Sequence, residues 1–233
     1  MARFMSRPPS IIFDLDGTLV DTADDIVAAL NVSVAPAGIA PLPVDLVRPM
    51  IGTGARRLVQ RAFDQAGFAA SDSGVDAAVV RFLDHYRAHI ADRSHPFPGI
   101  LPCLDWLRGH GALLGVCTNK LAGDSVALLD RLGLGPYFGA VLGGDSLAWK
   151  KPDGRHILGV IEQLGGDPAH ALMIGDSATD VNGARAAGIP VVAVTWGYTA
   201  VPAAQLGADA LVDSPAGLIP AIARLARIPA PVA

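Results

Sequence analysis

The segment Ile11–Asp21 reads IIFDLDGTLVD and places two aspartates directly after a run of apolar residues. Ser10–Phe13 is typical of a strand that is buried on both faces. Asp14 and Asp16 follow at the end of that strand, where two carboxylates so close together repel each other. We therefore predict that the strand delivers both acids to a site that also holds compensating positive charge.

The sequence around this segment alternates short apolar runs with helical patterns. Further strands are predicted at Leu113–Cys117, Ala140–Leu142, Ala171–Ile174, Val191–Val194 and Ala210–Val212. Near-continuous apolar runs are typical of parallel strands that helices cover on both sides. The predicted fold class is therefore α/β, a Rossmann-like parallel sheet with helices on both faces.

One interval contains no strand pattern. Between residues 22 and 95, apolar residues recur at helical spacing, as Ile26 and Leu30 do. We predict a core α/β domain formed by residues 1–21 and 96–233, with an inserted all-α cap domain at 22–95. The fold expected for the chain is thus a parallel sheet that carries a helical insertion directly after its first strand.

The position of the insertion has a functional implication. A helical domain that follows a strand ending in acids is placed to act as a lid over a site. We expect the lid to open and close about hinges near Leu19–Thr22 and Arg93–Pro98.

Composition narrows the class of protein. With 233 residues, 51% of them hydrophobic and 17% charged, the chain can form a sizeable core. A net charge of −4 argues against a nucleic-acid partner, and no apolar run is long enough to cross a membrane. Two cysteines do not indicate a disulfide framework, so a cytoplasmic location is expected. The oligomeric state is left open between monomer and homodimer.

Polar residues follow each of the first four predicted strands. These are Asp14 and Asp16, then Thr118 and Asn119, then Lys150 and Lys151, and then Asp176 and Asp180. Ligands of open parallel sheets bind beyond the carboxyl ends of the strands, so we expect these side chains to meet. Four carboxylates in one place require a cation, and an all-oxygen set without cysteine or histidine favours Mg²⁺. Together with a lysine and hydroxyl donors, such a site is suited to phosphate.

Four motifs carry a family resemblance. DLDGTLVDT, TN, KKP and GDSATD resemble, in order, the motifs of the haloacid dehalogenase superfamily of phosphatases. The helical insertion has the position of that superfamily's C1 cap, and finer features such as TNK and WGYT are similar to those of phosphoglycolate phosphatases. The resemblance implies an Mg²⁺-dependent phosphomonoester hydrolase that uses an aspartyl-phosphate intermediate. Its substrate is expected to be a small phosphorylated molecule such as 2-phosphoglycolate.

The resemblance also implies roles for the four acids. Asp14 is expected to be the nucleophile, and Asp16 the general acid and base whose backbone carbonyl binds Mg²⁺. Asp14 and Asp176 are expected to ligate Mg²⁺ directly. Asp180 is expected to act at the metal through water or by orienting neighbouring groups. The alternative is that these acids have purely structural functions. Asp14 and Asp16 would then cap the end of the strand, and Asp180 would stabilise the N-terminus of a helix.

The remaining motif residues are expected to bind the phosphoryl group. By resemblance, Thr118 and Asn119 supply hydroxyl and amide donors, and Lys151 neutralises charge on the phosphoryl oxygens and on Asp14. The alternative for Thr118 and Asn119 is a helix N-cap pair.

In the cap, the sequence IGTGARRLV places two glycines before two arginines. By analogy with C1 caps, the loop containing Gly52 and Gly54 is expected to face the site. Gly54 and Arg56 are the predicted substrate contacts, since an arginine can pair with a carboxylate through two hydrogen bonds. Arg56 and Arg57 on a solvated helix face are the alternative, and which of the two would contact the substrate is left open.

Several rival functions share this scaffold. Asp16 argues against a dehalogenase, which has a non-acidic residue at that place, and the absence of lysine between Thr22 and Ser94 argues against phosphonate cleavage through a Schiff base. A β-phosphoglucomutase-like mutase, a nucleotidase and a pyrophosphatase stay open. A non-catalytic phosphate-binding regulator is the alternative from a different functional class.

Overall fold

The computed structural model describes residues 7–228 and contains a six-stranded parallel sheet and a separate two-stranded one. The strands are β1 (Ser10–Phe13), β2 (Val20–Asp21), β3 (His95–Pro96), β4 (Leu113–Cys117), β5 (Ala140–Leu142), β6 (Ala171–Gly175), β7 (Val191–Val194) and β8 (Ala210–Val212). The large sheet has the order β5-β4-β1-β6-β7-β8. The predicted α/β fold class is confirmed. All six predicted strands are present, and β6 is one residue longer than predicted. The two-residue strands β2 and β3 are not predicted from the sequence, because two residues are too few to show a strand pattern.

The central strand β1 lies where the strand order reverses. It pairs in parallel with β4 on one side and β6 on the other, and Phe13 is in register with Val116 and Ile174. The carboxyl ends of the three strands therefore end at the same level. Ligands of open α/β sheets bind at such a switch point.

Helices cover both faces of the sheet. They are α5 (Ile100–Gly109), α6 (Ala122–Arg131), α7 (Gly154–Gln163), α8 (Ala178–Ala187) and α9 (Leu218–Leu225). Because side chains alternate along a strand, Ile11 and Phe13 of β1 pack in one hydrophobic cluster with Leu104, whereas Ile12 packs in another with Ile157. Within residues 7–228, no helix is both long and apolar enough to span a bilayer.

The insertion after β2 is helical. Its helices are α1 (Ala23–Val34), α2 (Val44–Val47), α3 (Ala55–Gln65) and α4 (Asp72–Ala88). They enclose a third hydrophobic cluster that includes Leu30 and Phe82, together with Tyr198 from the loop after β7. The four-residue helix α2 has no counterpart in the sequence pattern, because one turn is too short to establish a helical period.

The two segments that connect the helical insertion to the sheet are paired with each other. β2 and β3 are antiparallel, with Asp21 opposite His95. The buried carboxylate of Asp25 accepts hydrogen bonds from the backbone N–H groups of Arg93 and Ser94 and from the Ser94 hydroxyl at 2.6 Å. Both connections are thus held together at the base of α1.

These observations support the domain division that the sequence suggests. The helices α1–α4 have their own hydrophobic cluster, and the paired strands β2 and β3 mark the two crossings. We propose a cap at residues 22–95 and a core formed by 1–21 and 96–233. The outermost parts of that core, 1–6 and 229–233, lie outside the described residues.

Candidate active site

The site begins where β1 ends. Asp14 continues the strand pairing by donating its backbone N–H to the carbonyl of Ile174 at 2.9 Å, and the chain then turns tightly because the Leu15 carbonyl accepts three backbone N–H groups. Gly17 has a φ of +86°, and a Cβ there would lie 2.7 Å from Oδ2 of Asp176. Both the conformation and the space therefore require glycine, which allows the turn to pack against Asp176.

Three carboxylates meet beside one lysine. Asp14, Asp176 and Asp180 are buried, and each offers an oxygen within 4.8 Å of the others. The buried Nζ atom of Lys151 lies 2.8 Å from Oδ1 of Asp14 and 2.6 Å from Oδ1 of Asp180. The structure thus brings together residues from three strand ends that are widely separated in the sequence.

The cluster carries more negative charge than the lysine compensates. Burial raises the pKa of Asp14 to about 7, and Asp180 adds to this against the opposing effect of Lys151. Burial raises the pKa of Asp176 to about 8, with further contributions from Asp180 and Asp14. Burial disfavours the charged form of Lys151, but the carboxylates of Asp14 and Asp180 outweigh it and raise its pKa. An all-oxygen set with excess negative charge fits a divalent cation.

The stability of the metal-free protein should fall as the pH rises from about 6.5 to about 8.5. Asp14 and Asp176 bind protons more tightly in the folded protein than in the unfolded chain, so this stabilisation is present at low pH. It is lost as the pH passes through their raised pKa values, by about 2 kcal/mol over this range. Urea unfolding in EDTA at both pH values measures the loss.

The same experiment has two controls. A divalent cation should recover most of the stability lost at the higher pH, because it binds the ionised carboxylates of the folded state. Asp176→Asn should flatten the pH dependence, since it removes one of the two groups. A free energy of unfolding that does not change with pH, or rises, would contradict the electrostatic account of the cluster.

Asp180 serves both the helix and the site. It stands at the third position of α8, where its Oδ2 accepts hydrogen bonds from the backbone N–H of Ser177 at 3.0 Å and the Ser177 hydroxyl at 2.6 Å. Its Oδ1 holds Lys151. Oδ2 of Asp180 therefore makes the helix-end contacts of the structural alternative, while Oδ1 faces Lys151 in the acidic cluster.

Asp16 is held apart from the acidic cluster by different partners. Its Oδ1 accepts a hydrogen bond from the Thr22 hydroxyl at 2.8 Å. Lys120 places its Nζ 3.1 Å and 3.2 Å from the two Asp16 oxygens, and the same ammonium lies 4.2 Å from the ring centroid of Tyr86 in α4. Lys120 thus links Asp16 to the helical cap. The sequence motif TNK contains this lysine, but spacing alone gives it no partner.

The two residues after β4 are placed differently from each other. Thr118 is buried, and its hydroxyl oxygen accepts the backbone N–H of Lys120 at 3.2 Å. The Asn119 amide donates to the carbonyls of Gly52 at 3.0 Å and Lys151 at 3.1 Å. Both amide hydrogens are therefore used to join the cap loop to the Lys151 loop, and in this arrangement they are not available to a phosphoryl group.

The N-cap alternative for this pair is not observed. Helix α6 begins at Ala122 with Leu121 in the capping position, and the Ala122 N–H donates to Oδ1 of Asp145. An acid from the loop after β5 therefore supplies the cap, which the sequence order does not reveal.

A cavity of about 1030 Å³ lies between the cap and these strand ends, and it is lined by Asp14, Asp16 and all three lysines of the sequence. Gly54 also lines it with a φ of +94°, and a Cβ there would lie 3.6 Å from both the Asn119 carbonyl oxygen and Lys150 Nζ. The glycine loop of the cap therefore faces the site, as the sequence suggests.

The cap arginines occupy different environments. Arg56 lines the cavity, but its guanidinium group pairs with Asp72 at 2.9 Å and with Asp76 on the cap surface. Arg57 also lines the cavity and has no carboxylate partner among residues 7–228. Both terminal nitrogens of the Arg56 guanidinium are paired with aspartates, so in this arrangement they are not available to a substrate carboxylate.

His156 is a supporting residue that the sequence does not single out. It is buried in α7, where Nδ1 accepts the Lys151 backbone N–H at 3.3 Å and Nε2 lies 3.1 Å from the Gly143 carbonyl. Burial and the nearby Lys151 charge lower its pKa to about 4. A neutral histidine therefore supports the backbone that presents Lys151.

A family model described as haloacid dehalogenase-like hydrolase matches residues 11–194, which contain all four strand-end motifs and the helical cap. The chain belongs to this family. Haloacid dehalogenase-like phosphatases generally use a divalent metal ion, and the buried carboxylates of Asp14 and Asp176 suit one.

Close relatives are phosphatases. The phosphoglycolate phosphatase of Agrobacterium fabrum is 47% identical over 219 residues, which cover 93% of this chain and 94% of the relative. The phosphoglycolate phosphatase of Caulobacter vibrioides is 51% identical over 205 residues, 88% of this chain and 86% of the relative. The crystal structure of a predicted phosphoglycolate phosphatase from Haemophilus somnus superimposes with a TM-score of 0.86 at 30% identity, covering 93% of this chain and 99% of that one. This member of the family is a phosphatase.

Replacing Lys120 with methionine should lower kcat/KM by about 10²-fold. The variant leaves Asp16 with the Thr22 hydrogen bond alone, so its carboxylate is no longer held in one position, and it also removes the contact with Tyr86. Steady-state kinetics with a phosphomonoester measure the loss. Lys120→Arg keeps a cation that can pair with a carboxylate and stack on an aromatic ring, so it should recover much of the activity. Wild-type kinetics for Lys120→Met would exclude this function of the lysine.

Proposed function

We propose that this phosphatase is an Mg²⁺-dependent phosphomonoester hydrolase that acts through an aspartyl-phosphate intermediate. The observation that carries the proposal is the position of Asp14. Its carboxylate ends the central strand, lies 2.8 Å from Lys151 Nζ and shares a buried acidic cluster with Asp176. A buried carboxylate beside a cation is suited to attack a phosphoryl group, because the cation offsets repulsion between the two anions.

The reaction has two displacements. In the first, a carboxylate oxygen of Asp14 bonds to phosphorus while the ester oxygen leaves and takes a proton from Asp16. In the second, Asp16 takes a proton from water as the water oxygen attacks phosphorus, which releases inorganic phosphate and restores Asp14. Thr22 and Lys120 hold Asp16 in a place separate from the nucleophile, which a second acid with a different task requires.

The residues around Asp14 have complementary tasks in this mechanism. Lys151 neutralises charge on Asp14 and on the phosphoryl oxygens, and the Thr118 hydroxyl donates a hydrogen bond to one of them. The motif predicts the same task for Asn119. Since its amide hydrogens bind two carbonyls here, we propose that Asn119 acts by holding the cap loop of Gly52 against the site.

Mg²⁺ would be held by Asp14, Asp176 and the backbone carbonyl of Asp16. It would supply charge stabilisation for the phosphoryl oxygens. The contacts of Asp180 with Lys151 and Ser177 support an indirect contribution, in which it orients the lysine.

For the substrate, we propose a small organic phosphate that carries a second anionic group, with 2-phosphoglycolate as the first candidate. Relatives that are 47% and 51% identical over most of their length are phosphoglycolate phosphatases. The cavity is also rich in cations, since Lys150, Arg57 and Arg61 line it in addition to the two lysines that hold acids. Cations beyond those needed for the phosphoryl group suit an acidic leaving group.

The cap residues refine this proposal. Gly54 is proposed to lie against the leaving group, as its position on the cavity wall supports. The sequence predicts that Arg56 contacts the substrate. Its ion pairs with Asp72 and Asp76 now favour Arg57 for this contact.

A panel of phosphate esters tests the function. Activity should require Mg²⁺, disappear in EDTA, return when Mg²⁺ is restored, and be highest on 2-phosphoglycolate compared with phosphosugars, nucleotides and pyrophosphate. Preference for another compound would change the substrate and leave the mechanism intact. Interconversion of phosphosugars without net phosphate release would indicate a mutase. Phosphate binding without turnover of any compound would indicate a regulator, and full activity without metal would overturn the proposed site.

Two further properties remain predictions. A cytoplasmic location is proposed from the cysteine usage. A monomer or a homodimer is proposed for the assembly, and sedimentation of the purified protein distinguishes between them.

A further inference from the structure

The WGYT segment after β7 contacts the acidic cluster and the cap linker at once. Trp196 donates its indole N–H to the Thr18 carbonyl at 3.3 Å. Gly197 packs so closely on Asp176 that a Cβ would lie 2.1 Å from the Asp176 Cβ. Tyr198 donates its backbone N–H to Oδ2 of Asp176 at 2.6 Å. The segment is therefore fitted to one face of the Asp176 side chain, whose Oδ1 accepts the Thr18 hydroxyl.

The side chain of the same tyrosine reaches the first connection to the cap. Its hydroxyl accepts the backbone N–H groups of Thr22 at 2.7 Å and Ala23 at 3.1 Å, and it donates to Oδ1 of Asp21 at 2.5 Å. A phenol has one hydrogen to donate and two lone pairs to offer, so this hydroxyl has all of its hydrogen bonds.

The ring of Tyr198 belongs to the cap in its packing. It is only 4% exposed, and among residues 7–228 it is the one fully buried member of the cap cluster that lies outside the helical insertion. The Arg48 guanidinium of the cap lies 5.6 Å from the ring centroid. The backbone of this residue thus contacts the acidic cluster, whereas its side chain contacts the first cap linker and packs in the cap.

We propose that Tyr198 is a positioning residue that couples Asp176 to the first cap linker, so that cation binding at the acidic cluster and closure of the cap favour each other. A cation that fixes Asp176 also fixes the Tyr198 backbone, and through the hydroxyl it holds Thr22 and Ala23 at the start of α1. Thermodynamic coupling is reciprocal, so a closed cap must favour the cation equally. The cation part of this inference rests on the proposed function, whereas the contact with the linker does not.

Tyr198→Phe tests the inference because it removes the hydroxyl and keeps the ring and the backbone N–H. Hydrogen exchange reads the contact directly, since the two amides that bind the hydroxyl are those of Thr22 and Ala23. In EDTA, the Thr22 amide should exchange about tenfold faster in the variant than in the wild type. The Ala23 amide should change less, because it also donates to Oδ1 of Asp21 at 3.3 Å. Mg²⁺ should slow their exchange in the wild type and have little effect in the variant.

Kinetics provide a second readout. A cap that closes less readily reduces the population of the binding-competent state, so KM should rise about tenfold while kcat changes little. Tyr137→Phe is the matched control, because it also removes a tyrosine hydroxyl bonded to a carboxylate, that of Asp105, on the surface of the core. It should leave linker exchange and KM unchanged.

The outcomes separate this inference from the proposed function. The inference would be overturned if the Thr22 and Ala23 amides exchanged equally fast in Tyr198→Phe and in the wild type, with or without Mg²⁺. It would also be overturned if Mg²⁺ slowed their exchange to the same extent in the variant. A third contradicting result is a wild type that binds Mg²⁺ by calorimetry but shows no effect of the ion on these amides. A wild type that binds no Mg²⁺ would refute the proposed metal site and the coupling, and faster linker exchange in EDTA would still establish the hinge contact.

Discussion

Replacing Asp14 with asparagine should lower the turnover of p-nitrophenyl phosphate by a factor on the order of 10⁴ or more. The amide has nearly the same shape as the carboxylate but cannot form the acyl phosphate, so both displacements are lost together. Turnover at saturating substrate and Mg²⁺ measures the effect. Acid quenching of the wild type with labelled substrate should also retain phosphate on the protein, and the variant should retain none.

The same variant reports on folding independently of catalysis. Ionised Asp14 is destabilising in the metal-free cluster, because burial and Asp180 raise its pKa. Asp14→Asn should therefore unfold at an equal or higher urea concentration than the wild type in EDTA at about pH 8.5, while Lys151 keeps Asp180 as a partner. Asp105→Asn, on the core surface, is the control for the substitution itself. Retained turnover in Asp14→Asn would refute the aspartyl-phosphate mechanism.

Replacing Lys151 with methionine should lower the free energy of unfolding by about 3 kcal/mol or more in metal-free buffer at about pH 8.5. Methionine fills a similar volume but leaves the buried carboxylates of Asp14 and Asp180 without their cation. The loss should be smaller at about pH 6.5, because Asp14 and Asp176 can then take up protons. Urea unfolding at the two pH values measures both effects.

The adjacent lysine provides a control for this substitution. Lys150 is exposed, so Lys150→Met should change the free energy of unfolding by no more than about 0.5 kcal/mol. Turnover of Lys151→Met should also fall steeply, because no cation remains beside the nucleophile. Wild-type stability for Lys151→Met at the higher pH would mean that the acids do not depend on this lysine.

The sequence determined the sheet because the strand signal is local. Buried parallel strands must be apolar on both faces, so runs such as Leu113–Cys117 and Val191–Val194 show their bounds directly. The helical insertion was visible for the same reason, since the period of α4 extends over several turns. Parallel strands end at a common edge of the sheet, which is why the sequence predicts that the acids meet. Asp14, Asp176 and Asp180 lie together in the structure, whereas Asp16 is held apart by Thr22 and Lys120.

The tertiary structure alone decided how the polar side chains are paired. Lys120 binds Asp16, Asn119 binds the Gly52 carbonyl, and Tyr198 binds the linker, and each contact joins segments far apart in the chain. Such pairings depend on how the cap packs against the core. The local spacing of apolar and polar residues carries no information about that packing. Arg56 illustrates the same limit, because its partners Asp72 and Asp76 lie on another helix.

The sequence by itself therefore determined the α/β core, the helical insertion after the first strand and the acids at the strand ends. These features depend on which residues are buried and on the direction of the chain, and both can be inferred from the order of apolar and polar residues. Only the tertiary structure decided that Asp180 holds Lys151, that Lys120 holds Asp16 and that Tyr198 joins Asp176 to the cap. The physical reason is that a hydrogen bond or ion pair depends on distances of about 3 Å between side chains, which are fixed only when the helices and strands are packed.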